Sequence, residues 1–104
     1  MLQFTFNVGL ADKDAKEQVI PTSEAWEIIE QVFVDHDVDG ATITEGRGIY
    51  RHENGSVVRE NSVRIEVLEF DTPVNVRGIC AALKAALNQE SIAVKREDVD
   101  SFLV

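Results

Sequence analysis

The sequence predicts an α+β sandwich with the element order β-α-β-β-α-β, and three patterns carry that prediction. The chain opens on a strict alternation of apolar residues, two stretches of helical periodicity flank a pair of long β-rich runs, and the turn signal Asn54-Gly55 sits between those runs. A length of 104 residues, 44% hydrophobic and 28% charged, suits one ordinary globular domain, read here as spanning 1-104.

From Leu2 to Leu10 the apolar residues Leu2, Phe4, Phe6, Val8 and Leu10 recur with a period of two, the mark of a strand with one buried face. Gln3, Thr5, Asn7 and Gly9 take the other face. The charged stretch that follows lacks a sustained period until Pro21, after which Thr22 and Ser23 offer capping hydroxyls and Glu24 falls in a first turn. A helix is expected from about Ser23 to Val34, with Ala25, Trp26, Ile29, Val32 and Phe33 as its core stripe.

Residues 41–51 and 56–70 form the β-rich runs and are expected to pair as a hairpin. A two-residue Asn54-Gly55 loop would set Ile43 opposite Glu66 and mix apolar with charged positions on both faces. A three-residue loop, Glu53-Asn54-Gly55 with Gly55 left-handed, sets Ala41 opposite Val67, Ile43 opposite Ile65 and Glu45 opposite Val63, and is the preferred register. A second helix is expected over residues 76–87, then a short strand over 92–95 and a last edge strand over 99–104. The arrangement is the split βαβ, or ferredoxin-like, sandwich: an antiparallel sheet with both helices on one face and a C-terminal extra strand.

Composition narrows the function. Ten basic against nineteen acidic residues leave a net charge of −9, which repels a phosphate backbone unless the few cations gather into one patch and so disfavours generic nucleic-acid binding. No apolar run is long enough for a membrane span, and the N-terminus lacks the basic start and apolar block of a signal peptide, so the chain reads as cytoplasmic. The single cysteine, Cys80, cannot form an internal disulfide or a multi-thiolate metal site. Among apolar neighbours it reads as a small core residue. No nucleophile elbow, P-loop, dinucleotide fingerprint or zinc spacing occurs, and no cofactor is expected.

The run from Thr42 to Arg51, with the pattern Gly46-x-Gly48-x-Tyr50-Arg51, followed by Gly55, Val57-Val58, Glu60 and Ser62, resembles a family of small bacterial proteins known only as a domain of unknown function. Gln89-Glu90-Ser91 and Phe102 are similar to that family's C-terminal portion. The resemblance implies the fold and carries no catalytic residues. Through its element order and the strand Gly40 to Gly48, the chain also resembles, more distantly, the nitrogen-regulatory PII-like signalling proteins. Their basic nucleotide-binding motifs are not matched here.

Asp35, Asp37 and Asp39 before Gly40 copy the first half of an EF-hand calcium loop. Position twelve, which requires a bidentate acid, is Gly46, so no stoichiometric calcium site is expected. His36 and His52 fall in turns and read as solvated. The informative region is the hairpin. Residues 45–64 hold four arginines against three glutamates, whereas the remainder holds six basic and sixteen acidic residues. In the preferred register Glu45, Arg47, Arg59 and Asn61 continue the face that Ile43 and Ile65 give to the core, and such polar groups should not be buried unpaired. On the opposite face Gly46 lies across from Ser62, Gly48 from Glu60 and Tyr50 from Val58, with room beside Glu60 for a side chain or a small ligand. Strands of about eleven residues span roughly 36 Å, against roughly 18 Å for a twelve-residue helix. The outer hairpin therefore lacks helix cover and reads as an arm.

Three functions follow. The first is a non-enzymatic module that forms a homo-oligomer and binds a small anionic ligand through Arg47, Tyr50, Arg51, Arg59, Glu60 and Ser62. The second is a small enzyme with Glu60 as general base and Tyr50 and an arginine orienting the substrate. The third is an acidic, phage-type inhibitor of a basic nucleic-acid-binding protein.

Overall fold

The computed structural model of the protein describes residues 1–51 and 54–104. The elements follow the order β1 (Leu2–Gly9), α1 (Thr22–Asp35), β2 (Ala41–Arg51), β3 (Val57–Leu68), α2 (Val76–Leu87) and β4 (Ala93–Asp98). The four strands make one antiparallel sheet in the order β2-β3-β1-β4. β1 is central. Its even-numbered residues meet the odd-numbered ones of β3, with Phe4 opposite Val67, Phe6 opposite Ile65 and Val8 opposite Val63. These six form one core with Ala25, Ile29 and Phe33 of α1 and Ile79, Leu83 and Leu87 of α2. Because the stripes of both helices join the cluster made by a single sheet face, both helices cover that face. At its centre the Phe6 and Phe33 rings meet edge to face, 5.1 Å apart. No helix among the described residues is long and apolar enough to cross a membrane.

The hairpin takes the expected register without interruption from Ala41 opposite Val67 to Arg51 opposite Val57. Gly55 adopts φ +88°, the left-handed conformation that glycine accepts without a Cβ penalty. Asn54 Oδ1 accepts from the backbone N–H and the hydroxyl of Ser56. His52 and Glu53 lie outside the described residues, and with them the expected three-residue loop. β2 is exposed along nearly its whole length, in keeping with an arm beyond helix cover, and Ile49 is 68% exposed.

Three local expectations are corrected. Thr22 and Ser23 do not cap α1: the helix begins at Thr22 with no side-chain cap, and the Thr22 hydroxyl accepts instead from Gln18 Nε2. His36 is half-buried, its Nδ1 2.7 Å from the carbonyl oxygen of Val32, one of the carbonyls a helix end leaves unpaired. The C-terminal extra strand over 99–104 does not form. β4 runs on to Asp98, which pairs with Leu2, so β1 has a neighbour on both sides. Past that point the Val99 N–H bonds the carbonyl of Met1, just ahead of β1, and Phe102 and Leu103 remain exposed. Trp26 packs against the core half-buried, with its Nε1 unpartnered among the described residues.

Candidate functional site

β3 is longer than β1, and the geometry of the site follows from that mismatch. Past the last β1 pair, Gly9 with Ser62, the Leu10 N–H still bonds the Asn61 carbonyl, after which the chain leaves the ladder as the β1–α1 connection. This connection folds back on itself. Ala11 bridges to Gln18, and Asp12 and Glu17 are joined through the backbone. Asp12 organises the turn: its Oδ2 accepts from the N–H groups of Ala15 and Asp14, and its Oδ1 from Asn88 Nδ2 just beyond α2. Gln89 Nε2 donates to the Ala11 carbonyl at 2.7 Å. Tied to α2 in this way, the connection presents Lys16, at φ 61°, together with Glu17 and Gln18 alongside β3.

Between this connection and the hairpin lies a cleft of about 360 Å³. Its amides are committed to structure. Asn61 Nδ2 donates to Gln18 Oε1 at 2.8 Å, and Gln18 Nε2 donates to the Ile20 carbonyl and the Thr22 hydroxyl. Its charged groups are Lys16, Glu17, Arg47, Arg59 and Glu60. Glu60 reaches across the end of β1, where its Oε2 accepts from the Ala11 N–H at 2.9 Å. Gly9 makes this possible, since a Cβ there would stand 2.7 Å from the Glu60 carboxyl carbon.

Of the residues singled out from sequence, Arg47, Arg59 and Glu60 are brought together at the cleft. Ser62 lies in a neighbouring recess of about 170 Å³ with Glu45, Gly46 and Thr22, which Asn61 separates from the cleft while lining both. Arg51 stands apart and donates to the Gly55 carbonyl. Tyr50 fills the room over Gly48, where an added Cβ would meet its ring at 2.9 Å, so on that side of Glu60 a side chain occupies the space. Lys16, Glu17 and Gln18 escaped sequence reasoning. The bridge that places them joins residues seven apart in an aperiodic stretch, and the one available signal was a polar Asn61 on a core-facing register position, which required a partner.

The three aspartates of the calcium-like sequence are divided by the fold. Asp39 accepts from the N–H groups of Thr72 and Asp71 and from the Thr72 hydroxyl, bracing the two connections at that end of the sheet. Asp35 accepts from Gln31 Nε2, and Asp37 sits at φ 57° in the turn. Among the described residues, no three His, Cys, Asp or Glu side chains are grouped to hold a metal ion. Cys80 is half-buried, and that burial pushes its thiol pKa up, away from the thiolate a nucleophile needs.

The Asp12 and Asp39 carboxyls both sit below the ordinary aspartate pKa, Asp12 chiefly through the Ala15 N–H and then Asn88, Asp39 through the N–H groups of Thr72 and then Asp71. A lowered folded-state pKa adds stability that is present in full above the unfolded value of about 4 and is lost as pH falls through the folded value. Acid titration of the denaturation midpoint is therefore expected to show a decline below about pH 4 that is reduced in the Asp12→Asn and Asp39→Asn variants.

Fold and site together define a ferredoxin-like α+β protein with PII-like topology. Within that class the chain belongs to the family described as Protein of unknown function (DUF3574), which it matches over residues 3–102. No curated protein matches it in sequence. Among solved structures it is similar to a phage SAM lyase in complex with S-methyl-5'-thioadenosine, at 21% identity over 93% of this chain and 80% of the lyase, with a TM-score of 0.68. It is also similar to the periplasmic divalent cation tolerance protein CutA from Archaeoglobus fulgidus, at 12% identity, 99% and 88% coverage and a TM-score of 0.65. The GlnK–ATP complex of B. subtilis follows, at 16% identity, 93% and 84% coverage and a TM-score of 0.57. At these identities the likeness is one of fold.

Proposed function

We propose that the protein is a homo-oligomeric binding module that takes a small anionic ligand in the cleft between the β1–α1 connection and the hairpin. The observation that carries this reading is the convergence of Lys16, Arg47 and Arg59, from three separate elements, on one cleft in a chain of net charge −9. Guanidinium groups suit bidentate recognition of carboxylate or phosphate. The phage lyase and GlnK structures, each with a nucleoside-type ligand, lend support in that this fold houses small-molecule sites in those proteins.

The homo-oligomer rests on β2. Its outer edge leaves backbone groups unpaired along eleven residues, and Ile49 and Tyr50 stand exposed beside it, features that a second copy can cover. The acidic face of α1, with Glu24, Glu27 and Glu30, complements the arginines of the hairpin.

Catalysis by Glu60 as general base ranks below binding, because the carboxylate is engaged in holding the connection to β3. The inhibitor of a basic partner ranks last, with net charge as its main support. Isothermal titration with succinate and inorganic phosphate tests the cleft: saturable binding is expected, and the Arg47→Ala/Arg59→Ala double variant should lose at least about tenfold in affinity. Light scattering tests assembly, with the parent above monomer mass and Arg47→Glu/Arg59→Glu shifted toward monomer, association being weakened more than folding. A parent that stays monomeric at high micromolar concentration removes the oligomer.

A further inference from the structure

The cleft carries charges of both signs, and among the described residues none of its charged side chains is ion-paired with another. The three ion pairs found there lie elsewhere: the N-terminal amine with Asp98, Arg64 with Glu66, and Lys95 with Glu97. Lys16, Arg47 and Arg59 thus line the same cleft as Glu17 and Glu60, Glu60 from the opposite sheet face of β3, and none of these charges is compensated by another at contact distance.

A site for a simple anion gains nothing from two carboxylates, which repel the ligand and weaken the field of the cations. The two acids are also placed differently from stray surface charge. Glu60 is fixed by the Ala11 N–H through Oε2, which leaves Oε1 with no hydrogen bond to the described residues. Glu17 rides on the connection that the Asp12 turn and Asn88 hold in shape. Between them the Gln18 amide is engaged at both its oxygen and its nitrogen, so the charged groups are the main ones left to meet a ligand.

Three cationic and two anionic side chains are complemented by a ligand with two anionic groups and one cationic group. Resting on the cleft as the ligand site, we propose that the ligand is an amino acid with an acidic side chain, its two carboxylates held by Lys16, Arg47 and Arg59 and its ammonium by Glu17 and Glu60. A cleft of about 360 Å³ accommodates such a molecule with some of its water.

Titration calorimetry with L-aspartate and succinate tests this, since the two differ by the ammonium group alone. L-aspartate is expected to bind at least about tenfold more tightly than succinate. Glu60→Gln keeps an acceptor for the Ala11 N–H and should diminish that preference, as should Glu17→Gln at an exposed position where folding is not at stake. Equal affinity for the two ligands overturns the inference and leaves the anion cleft standing. A preference for L-aspartate that survives both glutamine variants also overturns it. Failure of both ligands to bind removes the inference and the cleft together.

Discussion

Phe6→Ala is expected to cost about 3–5 kcal/mol, the largest loss available from a single side chain in this protein. Phe6 is fully buried on the central strand, paired with Ile65 on one side and Val94 on the other, and its ring meets Phe33 edge to face. Truncation removes the burial of an aromatic ring and leaves a cavity bounded by a sheet and a helix that cannot both close on it. Domains of this size have only about 5–15 kcal/mol in total, so the variant should be partly unfolded at physiological temperature. Urea denaturation provides the measurement, with a lowered midpoint at an unchanged slope. Phe33→Leu keeps most of the apolar volume and should lose less, about 1 kcal/mol from the aromatic pair plus a modest packing term. If the two substitutions cost the same, the core is anchored elsewhere.

Gly9→Ala is the second large effect, and it acts through a residue fifty-one positions away. The added Cβ would displace the Glu60 carboxyl and leave the Ala11 N–H without its acceptor, a loss of about 1–3 kcal/mol for a half-buried donor. Glu60→Ala should cost a similar amount by removing the same bond. The informative variant is the pair: once Glu60 is alanine, the Cβ at Gly9 has nothing to displace, and the second substitution should be nearly neutral. Full additivity in this double-mutant cycle would show that Gly9 and Glu60 act independently. Weaker succinate binding by Gly9→Ala would further tie the bond between Glu60 and the Ala11 N–H to the shape of the cleft.

The fold was legible because each of its elements carries a periodicity of its own. Leu2 to Leu10 alternates, residues 76–87 hold a helical stripe that matches α2 at both ends, and the need to keep Ile43 opposite Ile65 picks out the hairpin register. The site was half legible. Arg47, Arg59 and Glu60 stood out because polar residues had taken register positions that the core or a neighbour would otherwise fill. Lys16, Glu17 and Gln18 did not, because a connection that closes on Asp12, Asn88 and Gln89 is determined by tertiary hydrogen bonds that leave no period in the sequence. β propensity alone did not make a strand of 99–104: β4 already occupies the second side of β1 through Asp98, and the last residues pair with neither open edge of the sheet.

The central place of β1 has a consequence for the order in which the chain acquires its structure. Made before the strands that flank it, β1 can complete neither of its ladders until residues 62–68 and then 93–98 have followed, so its apolar face waits on both. The β2–β3 hairpin, by contrast, joins near neighbours and can zip as soon as its own residues are free. Folding should therefore begin at the hairpin and end when β4 closes over β1, a sequence of events dominated by distant contacts and slower than that of a helical bundle of equal size. Nascent chains released before residue 98 would present β1 with one open edge, and these are the species on which chaperones and proteases would act.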